Sequence, residues 1–262
     1  MDAETFLREF HDTNPGATPA SFQDWTLSGD HRSSYDWLAD VVVEAADGEV
    51  VLDLACGDGF LLEKMLGRPN PPGAVIGADL SGVQLKRARR RIKKRAAWHH
   101  GPAQTLKIPA GELGAVSCHL ALMLMNPVEP VLDVVATGLL PGGVFCAVVP
   151  ALIGRNAVAE RIEASIWSHH PTVPAMGDPR TTSVEGLQAL LAPRFARVQI
   201  TPSALTKTAT AATLWETFRR SYDSAALSAP DRAAVRQKIC DTLGDEPVEC
   251  AIGVLLIQAW TA

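Results

Sequence analysis

A glycine-rich turn after a buried strand is the part of this chain that points most directly to chemistry. In VVLDLACGDGF (residues 50–60) a β-rich run ends in the acidic residue Asp53, and a turn holding Gly57 and Gly59 leads into a helical pattern. Glycines let the backbone turn tightly and approach a ligand closely, because they carry no Cβ. A dinucleotide-binding fingerprint needs a third small residue three positions after Gly59, where this chain has Leu62. The motif therefore indicates a ligand turn without the cradle that holds a pyrophosphate.

A second acidic residue follows the next strand at a spacing that suits a nucleoside. In VIGADLS (75–81) the strand pattern ends at Asp79, 20 residues after Gly59. A carboxylate at this point can accept hydrogen bonds from both ribose hydroxyls of a nucleoside bound in the crevice between strands. A nucleoside without a diphosphate points to S-adenosylmethionine as the cofactor.

Strand and helix patterns alternate around these motifs. Apolar, β-rich runs are separated by amphipathic patterns at 60–66, 83–95 and 128–140. Continuous apolar runs are typical of buried parallel strands, and strand–helix alternation builds a parallel sheet with helices on both faces. The sequence therefore predicts a doubly wound α/β sheet, with the ligand beyond the carboxyl ends of the strands where the strand order reverses. The predicted strands are EVVLDL (49–54), AVIGAD (74–79), AAWHH (96–100), AVSCHL (115–120), GVFCAVV (143–149), RVQITP (197–202) and CAIGVLLIQAW (250–260).

The regular pattern stops at both ends of this region, which predicts a cap and a lid. Residues 1–48 combine a loop-forming segment, NPGATP, with a helical pattern, so we expect an N-terminal helical cap. Residues 49–262 are expected to form the cofactor-binding domain. Its pattern is interrupted near 151–181 and 208–245, and we expect these mostly helical insertions to form a lid.

Composition and charge limit the classes to which the protein can belong. A length of 262 residues with 47% hydrophobic residues suits one globular core. A net charge of −5 disfavours nucleic acid as a partner, since proteins that bind a phosphate backbone usually carry the opposite charge. The five cysteines form no CxxC pair, the first residues are acidic, and no apolar run approaches the length that crosses a bilayer. We therefore expect a soluble cytoplasmic monomer or homodimer with reduced thiols and no membrane partner.

Five motifs stand in order between about residues 49 and 150: DLACGDG, ADLS, GPAQTLKIP, AVSCHLALMLM and LLPGGVFCAVV. Their order and spacing resemble those of class I S-adenosylmethionine-dependent methyltransferases, of the small-molecule type 11 kind. The resemblance implies a Rossmann-like methyltransferase sheet whose last strand is antiparallel. It also implies S-adenosylmethionine as cofactor and S-adenosylhomocysteine as product, and it says little about the substrate.

The resemblance assigns roles in cofactor binding to matching positions of this chain. In this family the first acidic residue and the glycine turn surround the methionine half of the cofactor, and the second acidic residue binds its ribose. Residues after the second and third strands flank the adenine. The matching positions are Asp53, Ala55, Cys56, Gly57 and Gly59 for the methionine half, Asp79 for the ribose, Leu80, Gln84, Ala103 and Gln104 for the adenine side, and His119 at the end of the fourth strand.

Three positions depart from the family pattern. The first glycine of the turn is Ala55, which is a mild change. The acidic residue that often meets the adenine amino group is Pro102, so that this contact is absent or passes to Gln104. The acidic residue that usually opens the fourth strand is Gly114. None of these changes removes the expected cofactor site.

A few residues are candidates for contact with the substrate. His119 at a strand end borders the transferred methyl group in this fold, and a neutral imidazole can take a proton from a substrate hydroxyl or amine. His169 in the predicted lid is a second candidate base, with a surface loop as the simpler account. Tyr35 either closes over the methionine end of the cofactor or packs in the core. Met123 and Met125 either line an apolar pocket or pack beneath the lid.

Two other features favour ordinary explanations. KRARRRIKKR (86–95) is strongly basic, but it lies on a predicted helix and has no interleaved aromatic residue, so a solvated helix face is favoured over an RNA-binding surface. The adjacent pairs His99–His100 and His169–His170 do not suit one metal ion, since neighbours in sequence rarely face it together. We expect no metal site.

The sequence is therefore interpreted as a methyltransferase that acts on O, N or C of a small-molecule acceptor, with natural-product biosynthesis as the expected context. Two alternatives remain open. The fold can retain the cofactor for a reaction other than methylation, such as a cyclisation or an elimination. Less favoured is an RNA methyltransferase that uses the basic helix.

Overall fold

The predicted strands assemble into one sheet. The computed structural model describes residues 1–93 and 96–262, and eight strands in these residues form the sheet. The strands are β1 (Thr26–Leu27), β2 (Val50–Leu54), β3 (Ala74–Asp79), β4 (Ala96–His100), β5 (Leu113–His119), β6 (Leu139–Pro150), β7 (Arg197–Ala209) and β8 (Val248–Trp260).

The strand order confirms the predicted doubly wound fold. It runs β1–β7–β8–β6–β5–β2–β3–β4, and the five strands from β6 to β4 are parallel. Strand β8 is antiparallel to both β6 and β7, as the family resemblance implies. Because β2 pairs with β3 on one side and with β5 on the other, the strand order reverses between β2 and β5.

Helices cover both faces of the sheet. In the described residues they are α1 (Ala3–Thr13), α2 (Ala17–Phe22), α3 (Ser34–Ala46), α4 (Phe60–Leu66), α5 (Gly82–Arg91), α6 (Glu129–Gly138), α7 (Ala157–Trp167), α8 (Val184–Leu191), α9 (Ala211–Phe218), α10 (Tyr222–Ala226) and α11 (Ala229–Leu243).

Several elements differ from the sequence-based expectation. The helix expected over 83–95 ends at Arg91, and the strand expected from 143 begins at Leu139. Strand β7 continues to Ala209, so the helical pattern expected from 208 begins at Ala211 and is divided into α9, α10 and α11. The short strand β1 was not predicted. It pairs with β7 through Thr26 and Leu27, and two residues are too few to show an alternating pattern in the sequence.

Side chains on the two faces of the sheet belong to two separate cores. Neighbouring residues of β6 show this division, because Val144 lies in one core and Phe145 in the other. Successive residues of a strand point to opposite faces, so a strand that is buried on both faces reads as a continuous apolar run. This is why GVFCAVV is apolar throughout.

The N-terminal segment is fixed at both its ends. Helix α3 packs on β5 and β6, and its side chains Leu38 and Val42 are fully buried. Helix α1 is held against α5, since the Ser81 hydroxyl lies 2.5 Å from an Asp12 carboxylate oxygen. The Gly16 N–H donates to Gln84 Oε1 at 3.1 Å. These contacts place α1 and α2 beside the carboxyl end of β3.

No helix of the described residues is long and apolar enough to cross a membrane. All five cysteines are free, and four of them are buried.

Candidate functional site

A cavity of about 520 Å³ lies at the carboxyl ends of the central strands. The last residues of β2, β3 and β5, together with the loop after β4, border it. This is the edge of the sheet where the strand order reverses, and α/β folds bind ligands at this position. The cavity therefore lies where the sequence predicts a ligand site.

The glycine turn after β2 forms the floor of the cavity and is tied to the next strand. Gly57 and Ala55 both have positive φ angles, +54° and +57°. Glycine accepts this conformation freely, whereas it costs Ala55 about 1–2 kcal/mol. The Gly57 N–H donates to Asp79 Oδ2 at 2.8 Å, and the Ser81 N–H donates to Asp79 Oδ1 at 2.8 Å. Asp79 thus fixes both turns that border the cavity.

Two buried carboxyl groups face this part of the cavity. Asp53 Oδ1 accepts a hydrogen bond of 2.7 Å from the Ser117 hydroxyl, while Asp53 Oδ2 is buried and has no protein partner. Burial raises the pKa of Asp53 to about 7, and the nearby Asp79 charge adds to this effect. Burial also raises the pKa of Asp79, although its two N–H donors act in the opposite direction.

His119 is held between α3 and the end of β5. Its Nε2 lies 2.9 Å from the Ser34 hydroxyl, and its ring stacks on Tyr35 with centroids 3.8 Å apart. Burial lowers the pKa of His119 to about 3, so the imidazole is neutral near pH 7. Its Nδ1 is buried without a partner. Neither ring nitrogen is open to the cavity in this arrangement.

The expected adenine side is built from two turns. Leu80 follows β3, and Gln84 in α5 accepts the hydrogen bond from Gly16. Ala103 and Gln104 lie in a short 3-10 turn after β4, and Gln104 Nε2 donates to the Pro127 carbonyl at 3.2 Å. All four side chains line the cavity.

The structure brings nearly all the predicted cofactor residues to this cavity. Gly59 lies outside its lining, and a Cβ at this position would approach the Ala88 Cβ to 3.1 Å. It therefore allows α4 and α5 to pack closely. His169 also lies away from the cavity, with its Nδ1 3.4 Å from Asp231. The predicted residues that line the cavity are Tyr35, Asp53, Ala55, Cys56, Gly57, Asp79, Leu80, Gln84, Ala103, Gln104 and His119.

Helices α1 and α10 add residues that the sequence did not reveal. Leu7 and His11 of α1 and Tyr222 of α10 line the cavity. His11 Nε2 lies 3.0 Å from the Tyr222 hydroxyl, and burial lowers the pKa of His11 to about 4. The Phe10 and Tyr222 rings have centroids 4.6 Å apart. The apolar spacing of Leu7 and Phe10 indicates a buried helix face, but nothing in it identifies the partner.

A mostly apolar surface forms another side of the cavity. A Cβ on Gly177, whose φ is +67°, would lie 1.6 Å from the Met123 carbonyl oxygen, so the two segments are in direct contact. Met125 lies on this surface, in agreement with the prediction that it lines an apolar pocket. Leu120 there has a φ of +50°, which is strained for a side chain of this size. We call this surface the apolar wall, and it consists of Leu120, Ala121, Leu124, Met125, Ala175 and Gly177.

One arginine of the basic run is engaged by two carboxylates. Arg91 pairs with Asp58 and Glu63 at 2.7 and 2.6 Å. The last two residues of the run, Lys94 and Arg95, lie outside the described residues. Within those residues no group of three or more His, Cys, Asp or Glu side chains is arranged to hold a metal ion.

Sequence comparison finds matches over part of the chain. Residues 51–143 match the methyltransferase domain family. An uncharacterised 37.1 kDa protein of a Streptomyces fradiae transposon is 33% identical over 100 residues, which is 37% of this chain. The matched segment spans 28% of that protein.

Solved structures share the fold over most of the chain at low identity. The YcgJ protein of Bacillus subtilis superposes with a TM-score of 0.62 at 16% identity, covering 87% of this chain and 97% of that one. A Haemonchus contortus phosphoethanolamine N-methyltransferase was solved with phosphomonomethylethanolamine and S-adenosylhomocysteine. It gives a TM-score of 0.62 at 14% identity and covers 100% of this chain and 61% of that one. The Streptomyces coelicolor geranyl diphosphate C-methyltransferase was solved with Mg²⁺, geranyl-S-thiolodiphosphate and S-adenosylhomocysteine. It gives a TM-score of 0.51 at 13% identity and covers 87% of this chain and 75% of that one. The fold is that of class I S-adenosylmethionine-dependent methyltransferases.

Proposed function

We propose that this chain, which has the class I methyltransferase fold and matches the methyltransferase domain family over residues 51–143, is a methyltransferase. It would use S-adenosylmethionine to methylate O, N or C of a small-molecule acceptor. The observation that carries this proposal is the pair of buried carboxyl groups, Asp53 and Asp79, at the glycine turn beside the cavity. We further propose a role in natural-product biosynthesis, and neighbours whose names give small bound molecules support a small acceptor. The five free cysteines support a cytoplasmic location.

The residues at the cavity fit the proposed cofactor. Asp53 Oδ2 is a buried oxygen without a protein partner, and the α-ammonium group of S-adenosylmethionine is a cationic donor whose approach would favour the ionised carboxylate. Each Asp79 oxygen already accepts one N–H and can accept a second donor, which suits two ribose hydroxyls. Ala103 and Gln104 would border the adenine.

For methyl transfer the chain must bind and orient the acceptor and exclude water, and it has less need to activate either reactant. The sulfonium of the bound cofactor supplies a methyl group that is already activated. The enzyme therefore contributes by holding the acceptor in line with the methyl group in a site without water. Helix α1 and Tyr222 cover one side of the cavity, and the apolar wall forms another. We propose that these surfaces provide the exclusion of water.

His119 is better placed to position a neighbour than to transfer a proton. One ring nitrogen is engaged by Ser34, and the other is buried. The stack on Tyr35 fixes the aromatic ring that lines the cavity, and Phe60 meets the same ring edge-on with centroids 4.9 Å apart. We therefore propose that His119 positions Tyr35.

Calorimetric titration with S-adenosylhomocysteine and S-adenosylmethionine tests the proposal. We expect both to bind the wild-type chain, and NADH not to bind. Asp79→Asn should weaken binding at least tenfold, about 1.4 kcal/mol, because the amide brings NH₂ donors where the ribose needs acceptors. Asp241→Asn, on the exposed face of α11, is the matched control and should bind as the wild type does. Equal affinity of the Asp79 variant would refute the ribose assignment, and no binding by the wild type would refute the function.

A further inference from the structure

The side of the cavity that remains for an acceptor is formed by the apolar wall. If the cofactor occupies the turns around Asp53 and Asp79, as proposed above, the part of the cavity next to it is bordered by hydrocarbon side chains. Leu124 and Met125 come from the loop after β5, and Ala175 comes from the segment before α8. Ligand sites of this kind obtain their affinity from nonpolar contact and their orientation from a few polar groups.

The wall is built from two segments in close contact, so its shape is defined. Gly177 packs against the Met123 carbonyl so tightly that a Cβ there would overlap it. Leu120 is held in a left-handed conformation by its N–H, which donates to the Val148 carbonyl at 2.8 Å. Strain that the surrounding structure maintains in this way is concentrated at functional sites.

Four carboxyl groups line the cavity in the described residues. They are Glu4, Asp53, Asp58 and Asp79. Asp53 and Asp79 lie at the proposed cofactor turns, and Asp58 is paired with Arg91 at 2.7 Å. Glu4 is exposed on α1 and lies 3.6 Å from Arg8. A phosphate-bearing acceptor would find no Lys or Arg side chain among the described residues that line the cavity, and burial of an unpaired anion is costly. The apolar wall itself carries no charge that would recognise a cation.

We propose, as a consequence that rests on the proposed function, that the acceptor is an uncharged and largely apolar molecule whose nonpolar body lies against the apolar wall. Asn126, which lines the cavity beside Met125, supplies an amide donor and acceptor that can orient a hydroxyl or a carbonyl of the acceptor. This distinguishes the chain from two structural neighbours, whose names give phosphomonomethylethanolamine and geranyl diphosphate as their bound molecules.

Binding of matched compounds to the chain saturated with S-adenosylhomocysteine tests this proposal. Geraniol and 1-naphthol are compared with their anionic partners, geranyl diphosphate and 1-naphthyl phosphate, and with geranylamine as the cation. We expect at least one neutral compound to bind, and to bind at least tenfold more tightly than its charged partners. Tighter or equal binding of an anion or of the amine would overturn the proposal, as would failure of both neutral compounds to bind.

A positive charge introduced on the apolar wall provides a second test of the proposal. Ala175 lines the cavity but is exposed, so Ala175→Lys should fold, which a thermal melt verifies. In this variant the ratio of the affinity for the neutral compounds to that for the anions should fall at least threefold. Leu152→Lys, at an exposed site away from the cavity, should keep the wild-type preference. An unchanged preference in the Ala175 variant would also count against the proposal. Failure of S-adenosylhomocysteine to bind would instead refute the proposed function.

Discussion

Asp53 and His119 are both buried at the cavity, yet burial moves their pKa values in opposite directions. Removal from water disfavours the charged form of any group. For Asp53 this raises the pKa to about 7, and for His119 it lowers the pKa to about 3. Both groups are therefore neutral at mildly acidic pH, but their contributions to stability change with pH in opposite senses. Each contribution can be isolated with a variant that does not titrate.

Asp53 should make the protein less stable as the pH rises. The folded chain keeps the proton of Asp53 up to about pH 7, whereas the unfolded chain releases it near 3.8. The stabilising contribution is therefore complete below pH 3.8 and is lost as the pH rises through 7. Between pH 5 and 7 the free energy of unfolding should fall by about 1.4 kcal/mol per pH unit relative to Asp53→Asn. Urea titrations of both proteins measure this difference, and a difference that does not change with pH would contradict the prediction.

His119 should have the reverse effect in acid. The unfolded chain takes up a proton near pH 6.5, but folded His119 remains neutral to about pH 3. Its stabilising contribution is therefore present above pH 6.5 and is lost as the pH falls toward 3. We expect the wild type to lose stability on acidification more steeply than His119→Gln, by about 1.4 kcal/mol per pH unit. The comparison uses denaturant titrations between pH 7 and 4. Parallel curves would show that His119 is not held neutral.

At the scale of elements, helix α1 closes one side of the cavity through few contacts. It is capped by Asp2, whose carboxylate accepts the Thr5 N–H at 2.9 Å. It is anchored by Phe10 against Tyr222. A helix of this length has little stability without packing, so the contacts of its apolar face determine whether it covers the cavity.

Phe10→Ala should weaken cofactor binding without preventing the fold. Loss of the aromatic contact with Tyr222 loosens α1, and the ligand must then order the helix at a cost. We expect the dissociation constant of S-adenosylhomocysteine to rise about tenfold by calorimetry. Glu9→Ala, on the exposed side of the same helix, is the control and should bind as the wild type does. If both variants bind equally well, α1 does not cover the bound ligand.

At the scale of the whole molecule, the site depends on a sheet that is buried on both faces. Phe145 is fully buried, and its ring lies parallel to that of Phe195 with centroids 6.2 Å apart. Its strand, β6, lies beside β5, which ends at His119. Loss of packing in this core therefore affects the global free energy of unfolding.

Phe145→Ala should lower the free energy of unfolding by about 3–5 kcal/mol, since it removes a fully buried ring and leaves a cavity. Trp167→Ala is the control, because that side chain is 51% exposed and its loss should change stability by less than about 0.5 kcal/mol. Chemical denaturation of the two variants measures the contrast. Similar losses in both would show that the exposed ring packs against the protein.

The sequence by itself determined the doubly wound sheet and most of the residues that line its cavity. A turn such as the one from Asp53 to Gly59 is a local device, since strand, turn and helix are adjacent in the chain. The carboxyl ends of parallel strands must meet at one edge, so Asp53, Asp79 and His119 were predicted to lie together, and the structure places them there.

Only the tertiary structure decided which distant segments complete the cavity. Tyr222 meets His11 across more than two hundred residues, and Gly177 meets Met123 from a segment without a regular pattern. His169 was expected near the ligand and lies away from the cavity, after the end of α7. Gly59 lies between the lining residues Asp58 and Phe60, but it packs against Ala88 of α5. Hydrophobic periodicity shows that a helix face is buried but does not show which segment it packs against, since the hydrophobic effect is not directional. That choice is made by the fold as a whole.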